Sequence, residues 1–316
     1  MISYAWRKVF GAEEERELRE MLAEAAEADA EAGFPAVSLH QPYRDDASHL
    51  VVRLLPDGRQ GHDASAVVAA YLRVEPDPDG GPATARYVVR PGLRSRGIST
   101  LLLETLGLDL RAEGGWAGTG VSALRIWARG DHPAAQRLAR RFGHVGVRSG
   151  RRQWQLLAPL RAGDPPARQA VRPRPPADAA EHAALAELWH RRASREELPG
   201  RAAALIADSE VTGAVWYDPD AGERTEYGTA GRILAVLAEP VREELRAALM
   251  AAAMTGLRER GLRVAAITVD AEDQALTRDC RLLGFRHDQT DVEYLVGDAG
   301  WPGAVLARTA AEVGPS

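Results

Sequence analysis

The pattern of apolar and polar positions divides the chain into two halves that repeat one order of elements. Short apolar, β-branched runs predict strands, and Ala-, Leu- and Glu-rich runs predict helices. The first half predicts a helix at 13–30, strands at 49–55, 66–74 and 83–90, a helix at 99–112, a strand at 123–128, a helix at 133–141 and strand-like segments at 146–148 and 153–157. The second half predicts a helix at 180–192, strands at 203–207, 211–217 and 232–238, a helix at 241–260, a strand at 264–269, a helix at 274–283 and a strand at 291–296. This order predicts an α/β or α+β fold in which helices flank a sheet.

A proline-rich segment lies between the two halves. It contains Pro165, Pro166, Pro173, Pro175 and Pro176, with Ala, Arg and Asp between them. Proline is not compatible with a helix interior or a central strand, so the segment predicts a stiff, extended linker. The predicted organisation is an N-terminal domain at 1–160, a linker at 161–178 and a C-terminal domain at 179–316.

Matching residues indicate that the two halves arose by internal duplication. One constant offset relates Ala134, Arg137, Arg140 and Gly143 to Ala275, Arg278, Arg281 and Gly284. Pro91 corresponds to Pro240 at a slightly larger offset. Because the order of elements is also shared, a duplication is the better interpretation of these matches.

Composition changes the picture in one respect. Lys8 is the only lysine, so 39 of the 40 basic residues are arginine, and the chain contains no asparagine. Lysine and asparagine codons are A-rich, so we interpret this bias as a high-GC, bacterial genome. An arginine surface for nucleic acid is the alternative, and the net charge of −5 argues against it.

The remaining composition is that of an ordinary globular protein and gives no sign of a membrane segment or a metal site. Cys280 is the only cysteine, which excludes an intramolecular disulfide. The longest stretch of low charge, 247–257, is shorter than the ~18 residues of a membrane span, and 1–15 has no apolar signal core. No His or Cys spacing suggests a metal site. We therefore expect a cytoplasmic protein, monomer or homodimer, that binds no nucleic acid and no membrane.

The segment Tyr87–Thr100, with sequence YVVRPGLRSRGIST, is the most informative one in the chain. A strand ends before Pro91 and a helix begins near Ser99, and the free N–H groups at a helix N-terminus bind phosphate well. Gly97 lets the backbone approach a ligand, and Arg94 and Arg96 offer donors to phosphate oxygens. An ordinary strand–turn–helix with surface arginines is the alternative. The segment lacks the patterns of a Walker A loop and of a dinucleotide fingerprint.

These residues resemble the acyl-CoA-binding signature of the GNAT acetyltransferase superfamily, [RQ]-x-x-G-x-[GA] after a strand and a proline. Arg94 fills its first position, Gly97 its glycine, and Ser99 replaces its last small residue. The resemblance implies that backbone amides of Ser95, Arg96, Gly97, Ile98, Ser99 and Thr100 hold the pyrophosphate of acetyl-CoA or another acyl-CoA. It also implies that Val88 and Val89 pair with the pantetheine arm as if it were an added strand.

Two further segments are similar to mycothiol synthase, a tandem GNAT family of about this size. They are IWARGDHPAAQRLARRFG with the following WQLLAPL, and the run from Ala265 through GFRHDQTDVEY. The resemblance implies two tandem GNAT domains, each with a mixed, mostly antiparallel sheet flanked by helices. In that family the C-terminal domain is the active one.

The second half departs from that pattern at its own CoA loop. Glu243 stands where the signature has Arg or Gln, and Arg246 where it has glycine. Acidic side chains oppose a pyrophosphate and a side chain at 246 crowds the loop, so we expect a degenerate C-terminal domain that does not bind CoA in the usual way. Near Asp273 and Cys280 the family has an asparagine and a tyrosine, and we interpret Cys280 as a small buried helix residue.

The first half keeps the CoA loop but has Ala139 where the family has its tyrosine acid. His132 follows the strand 123–128 and is a candidate base; the alternative is that Asp131 caps the next helix and His132 is solvated. Tyr294 aligns with a tyrosine near the family's active cleft, and its alternative is a strand residue with a solvated hydroxyl.

The resemblance implies an acyl-CoA-dependent N-acyltransferase that acts on a small-molecule amine by direct attack on the thioester. Two alternatives stay open: a non-catalytic CoA-binding or scaffolding protein, favoured by the missing acid and base, and a divergent mycothiol synthase, disfavoured by the altered second loop.

Overall fold

A computed structural model describes residues 1–30, 46–55, 66–161, 172–190, 202–225, 227–238 and 243–297. The chain forms two compact units. Unit 1 contains Met1–Arg151 and, from the other end of the chain, residues 292–296; unit 2 contains Arg152–Asp291.

Unit 1 is a mixed sheet with helices on both faces. Its elements are β1 (Ile2–Arg7), α1 (Ala12–Ala30), β2 (Ser48–Leu54), β3 (Val67–Glu75), β4 (Ala83–Val89), α2 (Ile98–Leu106), β5 (Leu124–Ala128) and α3 (Pro133–Arg141). The strands follow the order β1-β2-β3-β4-β5 and are antiparallel, except that β4 and β5 are parallel. Residues 292–296 then pair with β5 in antiparallel fashion.

Unit 2 repeats this pattern. Its elements are the end of β6 (Val147–Pro159), α4 (Ala179–Leu188), β7 (Ala203–Ile206), β8 (Gly213–Thr225), β9 (Gly228–Ala238), α5 (Glu243–Glu259), β10 (Val264–Asp270), α6 (Gln274–Leu282) and the start of β11 (Arg286–Val296). The strands β7, β8 and β9 are antiparallel, β9 and β10 are parallel, and β6 pairs with β10 in antiparallel fashion. Among the described strands, each unit thus has one parallel pair in an otherwise antiparallel sheet.

The last strand of each sheet comes from the other half of the sequence. Residues 152–159 of β6 complete the sheet of unit 2, and residues 292–296 of β11 complete the sheet of unit 1. The compact units therefore differ from the halves 1–160 and 179–316 at both ends, because strand pairing is decided by hydrogen bonds between distant segments. Of the predicted linker, 162–171 lies outside the described residues.

The helices of unit 1 cover opposite faces of its sheet. The buried α1 residues Leu18, Met21, Leu22 and Ala25 recur at helical spacing. They form a cluster with Val51, Val68, Tyr71 and Val88 of the strands. On the other face, Ile98 and Leu102 of α2 join Leu50, Val52 and Leu72. Each fully buried side chain of this size contributes about 1.5–3 kcal/mol to folding.

Several element boundaries differ from the sequence prediction. The strand β1 was not predicted, because its burial depends on pairing with β2. The helix predicted at 99–112 ends at Leu106, since Gly107 has φ +70° and closes it. The strand-like segments 146–148 and 153–157 form one continuous strand, β6.

The duplication is visible in matched helix starts. His132 caps α3 by accepting from the N–H of Ala134, and Asp273 caps α6 by accepting from the N–H of Leu276. These caps stand at the same offset as the sequence matches. The two nine-residue helices α3 and α6 are therefore structural counterparts.

Candidate acetyl-CoA site

The parallel strands β4 and β5 of unit 1 separate along their length. They pair only at the start, from Ala83 with Leu124 to Ala85 with Ile126. Beyond Ala85, β4 continues to pair with β3 on its other edge, up to Val89 with Ala70. From 86 to 89, β4 therefore makes no strand pairs with β5 among the described residues, although the Val89 carbonyl accepts a hydrogen bond from Arg94 Nε. This opening, which we call the wedge, can accept an extended ligand that pairs like a strand.

The predicted phosphate loop follows β4 directly. Pro91–Leu93 forms a short 3₁₀ turn, and the chain then passes through left-handed conformations at Ser95 (φ +63°) and Gly97 (φ +76°). Gly97 precedes α2 and caps it without a side-chain hydrogen bond. The first intrahelical bond runs from the Leu101 N–H to the Gly97 carbonyl. Consequently the N–H groups of Ile98, Ser99 and Thr100 remain free donors at a positive helix end.

The loop is open where a phosphate would approach. Residues 94–97 are exposed, and a Cβ built on Gly97 meets no heavy atom within 4 Å. Among the described residues, Arg96 makes no ion pair, so its guanidinium is available to a bound anion. The loop therefore combines open space, backbone donors and an exposed positive charge.

Arg94 does not have the free guanidinium that the signature suggests. Its Nη1 and Nη2 donate to the two carboxylate oxygens of Asp29 at 2.6 and 3.1 Å, and its Nε donates to the Val89 carbonyl at 3.1 Å. These bonds connect the loop to α1 and to the end of β4. Arg94 thus holds the loop in position. The free backbone N–H groups of Ile98, Ser99 and Thr100 come after it in the sequence.

Val88 and Val89 lie on β4 beside the wedge. The side chain of Val88 is buried beneath α1, and that of Val89 packs against the core on the other face. Because both side chains point away from the sheet plane, only the backbone of these residues faces β5.

Tyr87 lies on β4 with its hydroxyl buried near Ser99, at the start of α2. Burial raises the pKa of its hydroxyl to about 12, and the nearby Ser99 side chain opposes this rise. The phenol therefore stays protonated at neutral pH. Sequence reasoning missed this residue, because only the fold brings Tyr87 to Ser99.

His132, the candidate base, is exposed and caps α3. Its Nδ1 accepts a hydrogen bond from the Ala134 N–H at 3.2 Å. The Nδ1 lone pair is therefore engaged, and the neutral ring carries its proton on Nε2. The cap is His132 itself rather than Asp131, which has φ +45°.

Tyr294 lies in unit 1, although it is far from the rest of that unit in sequence. It pairs with Ile126 of β5, which forms the last pair before the wedge opens. Its neighbour Glu293 pairs with Trp127 and is fully buried. The Arg151 amide donates to Glu293 Oε2 at 3.3 Å. Sequence reasoning missed Glu293 because strand exchange alone brings it to the wedge.

The corresponding place in unit 2 is built differently. The strands β9 and β10 also separate after Ile233 and Ile267, but α5 begins at Glu243, only three residues after Pro240. Arg246 lies inside this helix and donates through Nε to Asp279 of α6 at 2.8 Å. A helical turn with a buried ion pair thus occupies the sequence that a glycine loop would need.

The thiol of Cys280 adjoins this ion pair. It is fully buried, and burial, followed by the charge of Asp279, raises its pKa to about 12. A thiol with this pKa forms almost no thiolate at neutral pH and is a poor nucleophile.

Removing one partner of the Arg246–Asp279 pair is expected to destabilise unit 2. The variant Arg246→Met leaves a buried carboxylate without its cation, so the free energy of unfolding should fall by about 3–5 kcal/mol. The double variant Arg246→Met/Asp279→Leu should recover most of that loss. Urea unfolding measures both. The control Arg16→Met removes an exposed pair with Glu20 and should change stability by less than about 1 kcal/mol. An unchanged unfolding midpoint in Arg246→Met would contradict the burial of this charge.

None of the described helices is long and apolar enough to span a membrane. Within the described ranges, no three His, Cys, Asp or Glu side chains cluster as ligands of a metal ion.

Solved structures with the same fold include GNAT acetyltransferases. A GCN5-related N-acetyltransferase from Sphaerobacter thermophilus superposes with a TM-score of 0.58 at 18% identity, covering 92% of this chain and 95% of that one. A tandem GNAT protein from the clavulanic acid biosynthesis pathway superposes with a TM-score of 0.56 at 14% identity, covering 94% and 98%. The predicted fold class is thereby confirmed.

Similar sequences identify the family more specifically than the solved structures do. No family model matches the chain. The mycothiol acetyltransferase of Saccharomonospora viridis is 29% identical over 94% of this chain and all of its own length. That of Thermobispora bispora is 30% identical over 72% of this chain and 79% of its own length. The chain is therefore a tandem GNAT acetyltransferase, and it belongs to the mycothiol acetyltransferase family.

Proposed function

We propose that unit 1 binds acetyl-CoA and transfers its acetyl group to the amine of a small molecule. The observation that carries this proposal is the coincidence, in one unit, of an open wedge between β4 and β5 with a donor-rich loop at the N-terminus of α2. Unit 2 has a wedge but carries a buried ion pair in place of the loop. We therefore expect unit 2 to have a structural role and not to bind a second acetyl-CoA.

The residues of unit 1 fit acetyl-CoA as a co-substrate. The free amides of 98–100 and the Arg96 guanidinium would hold the pyrophosphate, and the backbone of Val88 and Val89 would pair with the pantetheine amides. When bound, acetyl-CoA supplies an activated thioester. Other acyl groups are not distinguished by this loop, because it reads only the CoA part.

Transfer then proceeds by direct attack. The neutral amine forms a bond to the thioester carbonyl carbon, the carbon–sulfur bond breaks, and the amine loses one proton while the CoA thiolate gains one. A free backbone N–H of β4 at the wedge can donate to the oxyanion. Tyr294 is the candidate donor to the thiolate. His132 can serve as a base only if it gives up its cap.

Acetyl-CoA titration by calorimetry, followed by a thiol-release assay with a panel of small amines, tests the function. We expect one acetyl-CoA per chain and amine-dependent release of CoA. Tyr294→Phe should lower turnover without weakening acetyl-CoA binding, whereas His132→Asn, which keeps a capping side chain, should leave turnover unchanged. Binding without any amine-dependent turnover would favour a CoA-binding scaffold, and absence of binding would overturn the proposal.

The amine itself stays open. The relatives are named mycothiol acetyltransferases, so a mycothiol precursor amine belongs in the panel as the alternative. The cytoplasmic location and the monomeric or homodimeric state stay predictions.

A further inference from the structure

A row of polar side chains crosses one face of the unit 1 sheet at the level where the wedge opens. The strand register places His49 beside Arg73, and Arg73 beside Arg86. Arg86 is the first β4 residue beyond the last pair with β5, and Trp127 is the first such residue of β5. Because side chains alternate along strands, these residues share the face that α1 covers at Val88. Arg86 and Trp127 therefore stand on the two sides of the opening.

The arginines of this row have more donors than the described residues satisfy. Arg73 is 2% exposed; its Nη2 donates to Glu75 at 2.8 Å, while its Nε and Nη1 are buried and have no partner among the described residues. Arg86 places its Nε 3.4 Å from the other oxygen of Glu75, and a third of its side chain is exposed. One carboxylate thus faces two guanidinium groups. Buried, unsatisfied charged donors are costly, so a site that retains them favours an anion.

The neighbouring His49 does not offset this excess of positive charge. Burial first, then the charges of Arg73 and Lys8, lower the pKa of His49 to about 4, so its ring is neutral at neutral pH. Its Nδ1 lies 2.6 Å from the Tyr71 hydroxyl. Further along the row, the guanidinium groups of Arg129 and Arg151 lie 5.9 and 6.0 Å from the centre of the Trp127 ring.

The β5 side of the opening contributes a buried carboxylate in addition to these arginines. The paired arginines lie on the β3–β4 side. Glu293, next to Trp127 on the β5 side, is fully buried; its Oε2 lies 3.8 Å from the Arg151 Nε, and its Oε1 has no partner in the described chain. A molecule with an amine and an anionic group matches this arrangement, since its amine can face Glu293 while its anion faces the arginines.

We propose that the acceptor of unit 1 is an amine that also carries a carboxylate or phosphate group, which Arg86 and Arg73 hold while the amine lies at the opening of the wedge. This proposal rests on the proposed acetyl transfer by unit 1. A guanidinium fork suits the two oxygens of either anion. Such an acceptor differs from a sugar amine that carries no anionic group.

Matched probes test the proposal by direct binding to the protein saturated with CoA. Isothermal titration compares glycine with glycinamide, and O-phosphoethanolamine with ethanolamine. We expect one anionic probe to bind at least about tenfold more tightly than its neutral partner, and the pair that does so identifies the anion. In Arg86→Met this preference should disappear, with CoA affinity unchanged. Arg53→Met, which removes an arginine that pairs with Glu17 of α1, should keep it.

Two results would overturn the proposal while leaving acetyl transfer intact. The first is that neither anionic probe binds more tightly than its neutral partner, which includes the case in which no probe binds. The second is that the preference for the anionic probe persists in Arg86→Met. Failure of CoA itself to bind would instead overturn the proposed function, so the two failures are distinguishable.

Discussion

Replacement of Gly97 by tryptophan is expected to abolish acetyl-CoA binding to unit 1. A Cβ at this position points into open space in front of the α2 N-terminus, so the indole would fill the volume that the pyrophosphate requires. Loss of two or more charge-assisted hydrogen bonds predicts at least about a 100-fold decrease in affinity. Calorimetric titration with acetyl-CoA measures it.

The matched control for this variant is Gly80→Trp. Gly80 has the same φ of +76° and also meets nothing within 4 Å, but it lies in the turn before β4. Both variants carry the cost of a left-handed side-chain residue, about 1–2 kcal/mol. Only Gly97→Trp should lose acetyl-CoA binding. Wild-type affinity in Gly97→Trp would show that the pyrophosphate lies elsewhere.

Replacement of Gly115 by alanine is expected to destabilise unit 1 severely. Gly115 has φ +74°, and a Cβ there would lie 2.4 Å from the Val121 nitrogen and 2.6 Å from the Gly120 carbonyl carbon, both backbone atoms that cannot rotate away. The loop must therefore open, which displaces the buried Trp116 from its bond to the Gly107 carbonyl. The free energy of unfolding should fall by about 4 kcal/mol or more, measured by urea unfolding.

Gly118→Ala in the same loop separates the steric clash from backbone strain. Its φ is +76°, and its Cβ meets nothing within 4 Å. A loss of about 1–2 kcal/mol, the cost of a left-handed side-chain residue, is expected there. If the two alanine variants were equally stable, close packing at Gly115 would not be the reason for the glycine.

The loop of the candidate site was predictable from the sequence because its information is local. Pro91 ends a strand, Gly97 supplies a positive φ, and the following helix offers its free N–H groups, all within ten residues. The role of Arg94 was not predictable, since its partner Asp29 lies 65 residues away in sequence. The same limit applies to Tyr87, because Ser99, whose side chain influences the pKa of its hydroxyl, belongs to a different element.

The sequence by itself determined the duplicated order of strands and helices, the glycine-containing loop before α2 in the first half and the absence of a matching glycine at Arg246. These features follow from periodicity and from residue types whose backbone preferences act locally. Only the tertiary structure decided that residues 292–296 complete the sheet of unit 1 and that Glu293, Trp127, Arg86 and Arg73 share one face. Strand register between distant segments has no local signature, because backbone hydrogen bonds form between any residues that the buried faces bring together.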